Sequence, residues 1–185
     1  MTVQEAIDLI RPAVTSGKAT WADFGAGTGL FTRALAHLLG AGARVIAVDR
    51  DPHVFNELNA LADHAPASGA GIVPVRGDFL ELASLSALEE TRLDGALFAN
   101  ALHYAADVVP VLSDVAYRLT NSGRIVVVEY DRNVASPWVP YPIPPDRLRM
   151  LAAGAGLDYV QVVGRRESRF GGAMYSAVLA RSAAR

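Results

Sequence analysis

Three glycines at alternate positions follow an acid in Asp23-Phe24-Gly25-Ala26-Gly27-Thr28-Gly29. Glycine takes positive φ readily and lets a ligand approach the backbone with no Cβ in the way. A helix starting directly behind such a turn offers unpaired N–H groups and a partial positive charge to a carboxylate or phosphate. Twenty residues beyond Gly29, Asp49 closes the apolar run ARVIAV, and an acid there can accept from both hydroxyls of a ribose. Together, turn and acid point to an adenosine-containing ligand. Singly, each has an ordinary reading. The glycines can form a tight turn, Asp49 can be a turn acid, and Asp78 can cap the short helix behind it. Asn100 is as readily a plain turn residue.

Such residues act together only if the chain brings several strand ends to one place. Residues 1–15 carry apolar side chains at helical spacing (Val3, Ala6, Ile7, Ile10, Val14), with Pro12 bending the end of the helix. Residues 19–24 read as a strand entering the glycine turn, 30–39 as a helix stopped by Gly40 and Gly42, and 43–48 as a strand buried on both faces. Pro52 opens a helix to about 62, followed by a strand at 71–76, a short helix at 82–90 and a strand at 93–99. A helix at 108–119 leads to a turn at Asn121-Ser122-Gly123 and then to RIVVVE (124–129), β-branched enough to be placed at the sheet centre. A loop at 136–145 holds five prolines, and a helix follows at 146–153. Strands at 157–164 and 173–180 flank a short turn with Gly171-Gly172, too short for a parallel crossover. The prediction is an α/β fold: a doubly wound, mostly parallel, seven-stranded, Rossmann-like sheet whose C-terminal strand is antiparallel.

With 185 residues, 51% of them hydrophobic and 19% charged, the chain is read as a single domain spanning 1–185. A formal charge of -2 gives no global basic field, so no nucleic-acid partner is expected. With no cysteine there is no disulfide, thiolate metal site or thiol nucleophile, and the four scattered histidines suggest no metal. The acidic N-terminal stretch is unlike a signal peptide, and no apolar run approaches membrane-spanning length. No membrane association is expected, and the expected location is cytoplasmic.

The glycine spacing separates two cofactors. A nicotinamide-binding turn reads G-x-G-x-x-G, whereas this one reads G-x-G-x-G behind an acid. Lys18 is also the only lysine, so no Tyr-x-x-x-Lys pair exists. DFGAGTGLFTRALA resembles the first motif of class I S-adenosylmethionine-dependent methyltransferases. AVDRDPHVF, GDFLEL, LDGALFANALHY and SGRIVVVEY resemble their later segments, so the resemblance runs from about Ala19 to the C-terminus. It implies S-adenosylmethionine as cofactor, with Asp23, Gly25, Gly27 and Gly29 around its methionine part. Asp49 would hold the ribose, with Arg50 beside it near the adenine. Asp78 would accept from the adenine amine, Phe79 would line the ring pocket, and Asn100 would lie beneath the sulfonium.

Methyl transfer from a sulfonium asks mainly for alignment and exclusion of water. A base is needed only when the acceptor arrives protonated. His103, shortly after the fourth strand, is the candidate base, because an imidazole titrates near neutral pH; its alternative is packing or capping. Tyr104, Glu129, Asp131, Trp138 and Tyr141 are candidates for acceptor contacts. One of Glu129 and Asp131 would bind an acceptor amine or hydroxyl, though the more ordinary reading of both is a solvated loop acid, and the aromatics of the Pro-rich loop read equally as loop anchors. Arg165, Arg166 and Arg169 form a solvated turn or, less readily, an anion site. Near-balanced charge favours a small-molecule acceptor, with the pocket open or completed by a second copy in a homodimer. The alternative function is a domain that keeps the fold, binds cofactor or partner, and turns nothing over.

Overall fold

A computed structural model describes residues 1–168 and 172–182. Seven strands form one sheet in the order β3-β2-β1-β4-β5-β7-β6. In chain order the elements are α1 (Val3–Ile10), β1 (Thr20–Phe24), α2 (Leu30–Leu39), β2 (Arg44–Asp49), α3 (Pro52–Asp63), β3 (Gly71–Arg76) and β4 (Leu93–Ala99). After these come α4 (Val109–Arg118), β5 (Leu119–Asp131), α5 (Pro145–Gly154), β6 (Leu157–Glu167) and β7 (Ala173–Arg181). The first five strands pair in parallel, while β7 enters antiparallel between β5 and β6. The expected antiparallel hairpin is present, with β6 rather than the last strand at the edge. Gly171 and Arg169 lie outside the described residues. Pro74, which cannot donate to a ladder, sits on the opposite edge strand, β3.

Strand alternation divides the core between the two faces. Ala22, Phe24, Ile46, Val48, Ala96, Phe98, Ile125 and Val127 pack with α4 and α5. Trp21, Val45, Leu97, Val126 and Val128 pack with α1 and α2 on the other side. Leu58 of α3 closes on Ala47 beside them. In α1, Thr2 accepts from Glu5 N–H while Glu5 accepts from Thr2 N–H, and Pro12 ends the helix in a 3₁₀ turn at Arg11–Ala13. Phe24 is level with Val48 and Phe98, and Ala99 with Val128, so the loops after β1, β2, β4 and β5 open along one sheet edge.

Three sequence expectations change. The helix expected at 82–90 is instead a pair of 3₁₀ turns, Phe79–Ser84 and Ser86–Leu88. Buried Leu82, Leu85 and Leu88 recur every third residue, the period of a 3₁₀ rather than an α-helix. The Asn121-Ser122-Gly123 turn lies within β5 as an irregularity: Leu119 pairs with Leu93 and Arg124 with Gly95, so the intervening residues bulge outward. The middle strand is β4, with β5 next to it.

Candidate functional site

Gly25, Gly27 and Gly29 all have positive φ (72°, 55° and 80°), folding the chain back between β1 and α2. Gly25 and Ala26 donate to Val48 O, locking the turn to the end of β2. A Cβ at Gly25 would lie 2.7 Å from the Ala101 Cβ, and one at Gly29 2.6 Å from Leu61, so both positions exclude larger residues. Gly27 faces open space. Gly29 caps α2 without a side chain, leaving the first-turn amides of that helix without partners inside it.

A cavity of about 430 Å³ opens above this turn. It is lined by eight of the nine expected cofactor residues, Asp23, Gly25, Gly27, Asp49, Arg50, Asp78, Phe79 and Asn100, and by Thr28 and Leu30 on either side of Gly29. Gly29 alone of the nine stands behind the wall, against Leu58 and Leu61. Asp49 Oδ2 accepts from Gly27 N–H at 2.8 Å and Oδ1 from Asp51 N–H at 2.9 Å, so this acid shapes the turn as well as facing the cavity. Arg50 donates to Asp78 Oδ2 at 3.0 Å, while Asp78 Oδ1 accepts from Leu80 N–H. Asp78 is therefore both a cap and one half of an ion pair at the mouth. Phe79 stands edge-on to Phe98, which stacks on Phe24, giving the cavity an aromatic wall tied to the core.

Two polar groups at its base are left unsatisfied. Asp23 is fully buried; its Oδ2 accepts from the Thr32 hydroxyl at 2.6 Å and its Oδ1 has no partner. Burial pushes its carboxyl up to about 7, against the Thr32 hydrogen bond and with the charge of Asp49 adding to the rise. Asn100, at φ 54°, is the one non-glycine residue with positive φ among the described residues. Its N–H is spent on Val128 O and its Oδ1 is buried without a partner. Strain of this kind recurs at binding sites. Thr32 was not foreseen; the sequence signal was Asp23 itself, an acid on a buried strand that needs a donor.

The acceptor candidates divide. Tyr104 lines the cavity; His103, Glu129, Asp131, Trp138 and Tyr141 do not. Glu129 is no solvated loop acid: it is fully buried, on the α4–α5 face of β5. Its Oε2 meets His103 Nδ1 at 2.6 Å and its Oε1 accepts from the His103 N–H at 3.2 Å. Because a carboxylate only accepts, Nδ1 carries the proton. His103 lies in the 3₁₀ turn Leu102–Tyr104, beneath the Tyr104 ring at a centroid distance of 4.4 Å. Asp131 pairs with Arg165 of β6, and Arg166 with Glu5 of α1, while Arg166 Nη1 is buried with no partner. Trp138 is 80% exposed and Tyr141 half exposed, in a loop pinned by Tyr141 N–H to His103 O and by Tyr175 OH to Ile143 O. Among the described residues no helix is long and apolar enough to cross a membrane.

A family model described as a methyltransferase domain matches residues 22–127, more than half of the chain. No curated protein matches the sequence. Among solved structures, a mitomycin 7-O-methyltransferase is 21% identical, with a TM-score of 0.72, covering 97% of this chain and 54% of its own. The chain thus spans about half the length of that relative. An S-adenosylmethionine-dependent methyltransferase from Aquifex aeolicus is 13% identical at a TM-score of 0.75, over 95% of this chain and 88% of its own. Magnesium protoporphyrin IX methyltransferase from Synechocystis PCC 6803, solved with S-adenosylmethionine bound, is 17% identical at 0.70, over 97% and 78%. At these identities the structures speak for the fold; with the family match over more than half its length, the chain belongs to the methyltransferase-domain family, as its resemblance to the class I S-adenosylmethionine-dependent enzymes implied.

Proposed function

We propose that the chain transfers the methyl group of S-adenosylmethionine to a small-molecule acceptor. The observation that carries this reading is the pair of buried, unpartnered acceptors, Asp23 Oδ1 and Asn100 Oδ1, at the base of the cavity that the glycine turn and Asp49 also line. Two orphaned oxygens suit a ligand group that only donates, such as the ammonium of the cofactor's methionine part. The first turn of α2 offers amides to its carboxylate. Asp49 retains lone pairs for a ribose diol, and Phe79 offers an aromatic surface to the adenine, with the Arg50–Asp78 pair at the rim. When bound, the cofactor supplies an electrophilic methyl group on a sulfonium. The residues of this chain bind it, orient it and keep water from its base. The small-molecule acceptor is supported by the formal charge of -2 and by the mitomycin and protoporphyrin enzymes among the structural relatives. A domain that keeps the fold without turnover finds no support in these observations.

Calorimetric titration with S-adenosylmethionine, S-adenosylhomocysteine and NADH tests the cofactor half. Micromolar binding of the first two and none of the third is expected; no binding of either would overturn the reading. Asp49→Ala should weaken both by at least about tenfold, since it removes the ribose acceptor and frees Gly27 N–H at once.

A further inference from the structure

The cofactor reading sets an ammonium beside an acid shut away from water, and that combination moves a proton. We propose that Asp23 and Thr32 form a proton-exchanging seat: the empty site holds a proton on Asp23 Oδ1, and the cofactor's ammonium expels it on binding, so the chain takes up cofactor less tightly in acid. The inference rests on the methyl-transfer reading above and adds the condition under which that site loads.

Three observations carry it. Asp23 is fully buried, yet it belongs to the lining of the cofactor cavity. Among the described residues its single donor is the Thr32 hydroxyl, 2.6 Å from Oδ2, and Oδ1 has none. A buried carboxylate stays ionised when several donors serve it, and with one the neutral form is favoured. Third, no cation of the chain compensates it. Level with Asp23 in the sheet stand Ala47 of β2 and Leu97 of β4. Helix α1 meets this face through Ala6, Ile7 and Ile10, and α2 through Phe31 and Leu35, while Arg33 and His37 of α2 are exposed. Asp49 is the one charge acting on Asp23, and it opposes a second negative charge. Arg50 and Asp78 engage each other at the cavity mouth, and Tyr104 of the same lining is an uncharged phenol. The compensating cation must therefore arrive with the ligand.

An ammonium has only hydrogens to give. Protonated, Oδ1 meets it with another hydrogen; ionised, Oδ1 meets it with lone pairs and a negative charge. Binding therefore selects the ionised form. The O–H bond of Asp23 breaks, its electron pair stays on oxygen, the proton leaves to solvent and the ammonium keeps all its hydrogens. Because the Asp23 carboxyl is pushed up to about 7, most empty molecules hold the proton in mild acid and give it up on binding. Affinity falls as pH falls through that value, and above it the release disappears. Thr32, itself fully buried, works the other way: its hydrogen bond favours the carboxylate, so it lowers the pH at which the seat is ready. Thr32 is the positioning residue.

Calorimetric titration with S-adenosylhomocysteine in phosphate and in Bis-Tris reads the protons exchanged, because the observed heat shifts with the ionisation enthalpy of the buffer. At about pH 6 an α-amino group is charged, so a proton released there comes from the protein. The protein should release about half a proton or more at that pH, and bind about fivefold or more weakly than at about pH 7.5. 5′-Methylthioadenosine, which has no ammonium, should release none and bind equally at both. Thr32→Val should raise the pH at which affinity falls by about one pH unit, and Thr32→Ser should restore the parent profile. Absence of proton release with S-adenosylhomocysteine overturns the proposal. Equal release with 5′-methylthioadenosine does so too, and that comparison needs no variant to fold. A Thr32→Val profile identical to the parent overturns the part given to Thr32. Failure of S-adenosylhomocysteine to bind at about pH 7.5 is a different result, and it removes the cofactor reading itself.

Discussion

Asp23 joins the site to the stability of the chain, because its carboxyl is held near 7 by burial in a folded core where only Thr32 serves it. The folded state therefore holds the proton more tightly than the unfolded chain, where the group sits near 3.8. The resulting stabilisation is complete below about pH 4 and disappears as pH rises through about 7. Asp23→Asn keeps the shape and removes the titration. Its stability relative to the parent should improve by about 3 kcal/mol between about pH 5 and about pH 8, read from denaturant midpoints. A difference flat with pH would show that Asp23 does not change charge in that interval. Glu5 works in the opposite sense, held down to about 2 by Arg166 and the Thr2 N–H. Its contribution is present above about 4.5 and lost only as pH falls toward 2, so it stays clear of this window. At this scale Asp23 and Asp49 were singled out by their spacing from the glycine turn and Asp78 by the family resemblance, and the three line one cavity. Glu129 was misjudged, although a clue was present: an acid inside IVVVEY, a run buried on both faces, must find a buried partner. That the partner is His103, 26 residues away, depends on which strands lie side by side, and one sequence does not state that.

The elements show how that adjacency is enforced. Gly95 of β4 lies under the Trp21 ring of β1, where a Cβ would come within 2.3 Å of the indole. The ring is nearly fully buried between β1, α1 and α2, so it has nowhere to retreat. Gly95→Ala should cost about 3 kcal/mol, the upper range for overpacking, whereas Gly27→Ala, whose Cβ meets nothing, should cost only the left-handed strain of about 1 kcal/mol. Urea unfolding of the two variants checks the ordering, and equal losses would contradict the packing account. The strands and the β6–β7 hairpin were readable because alternation and turn residues are local signals. The 3₁₀ turns and the bulge in β5 were not. Leu82, Leu85 and Leu88 turn at three residues per turn because all three are buried in one core cluster, and Asn121–Gly123 bulge because β4 offers too few partners between Leu93 and Gly95. Both outcomes are set by neighbours.

Across the whole molecule, the cofactor cavity and the larger core are one body. Phe24 and Phe98 belong to the cluster that runs through Ala101, Leu102, α4 and α5 to Tyr175, and Phe79 packs against the same cluster from the cavity wall. A ligand seated there binds only the folded chain, since unfolding separates β1, β2 and β4 and with them the turn, Asp49 and Asn100. Linkage then fixes the size of the effect: ligand at a hundred times its Kd adds about 2.7 kcal/mol. For a chain of this length that corresponds to a rise in Tm of about 5–10 °C. S-adenosylhomocysteine should produce it and NADH should not. Gly25→Ala supplies the control, because its Cβ would be driven against Ala101, which forms the cavity floor as well as part of the core. That variant should lose the ligand-induced rise even where its own Tm, without ligand, falls only modestly. Retention of the full rise in Gly25→Ala would place the cofactor somewhere other than above the glycine turn.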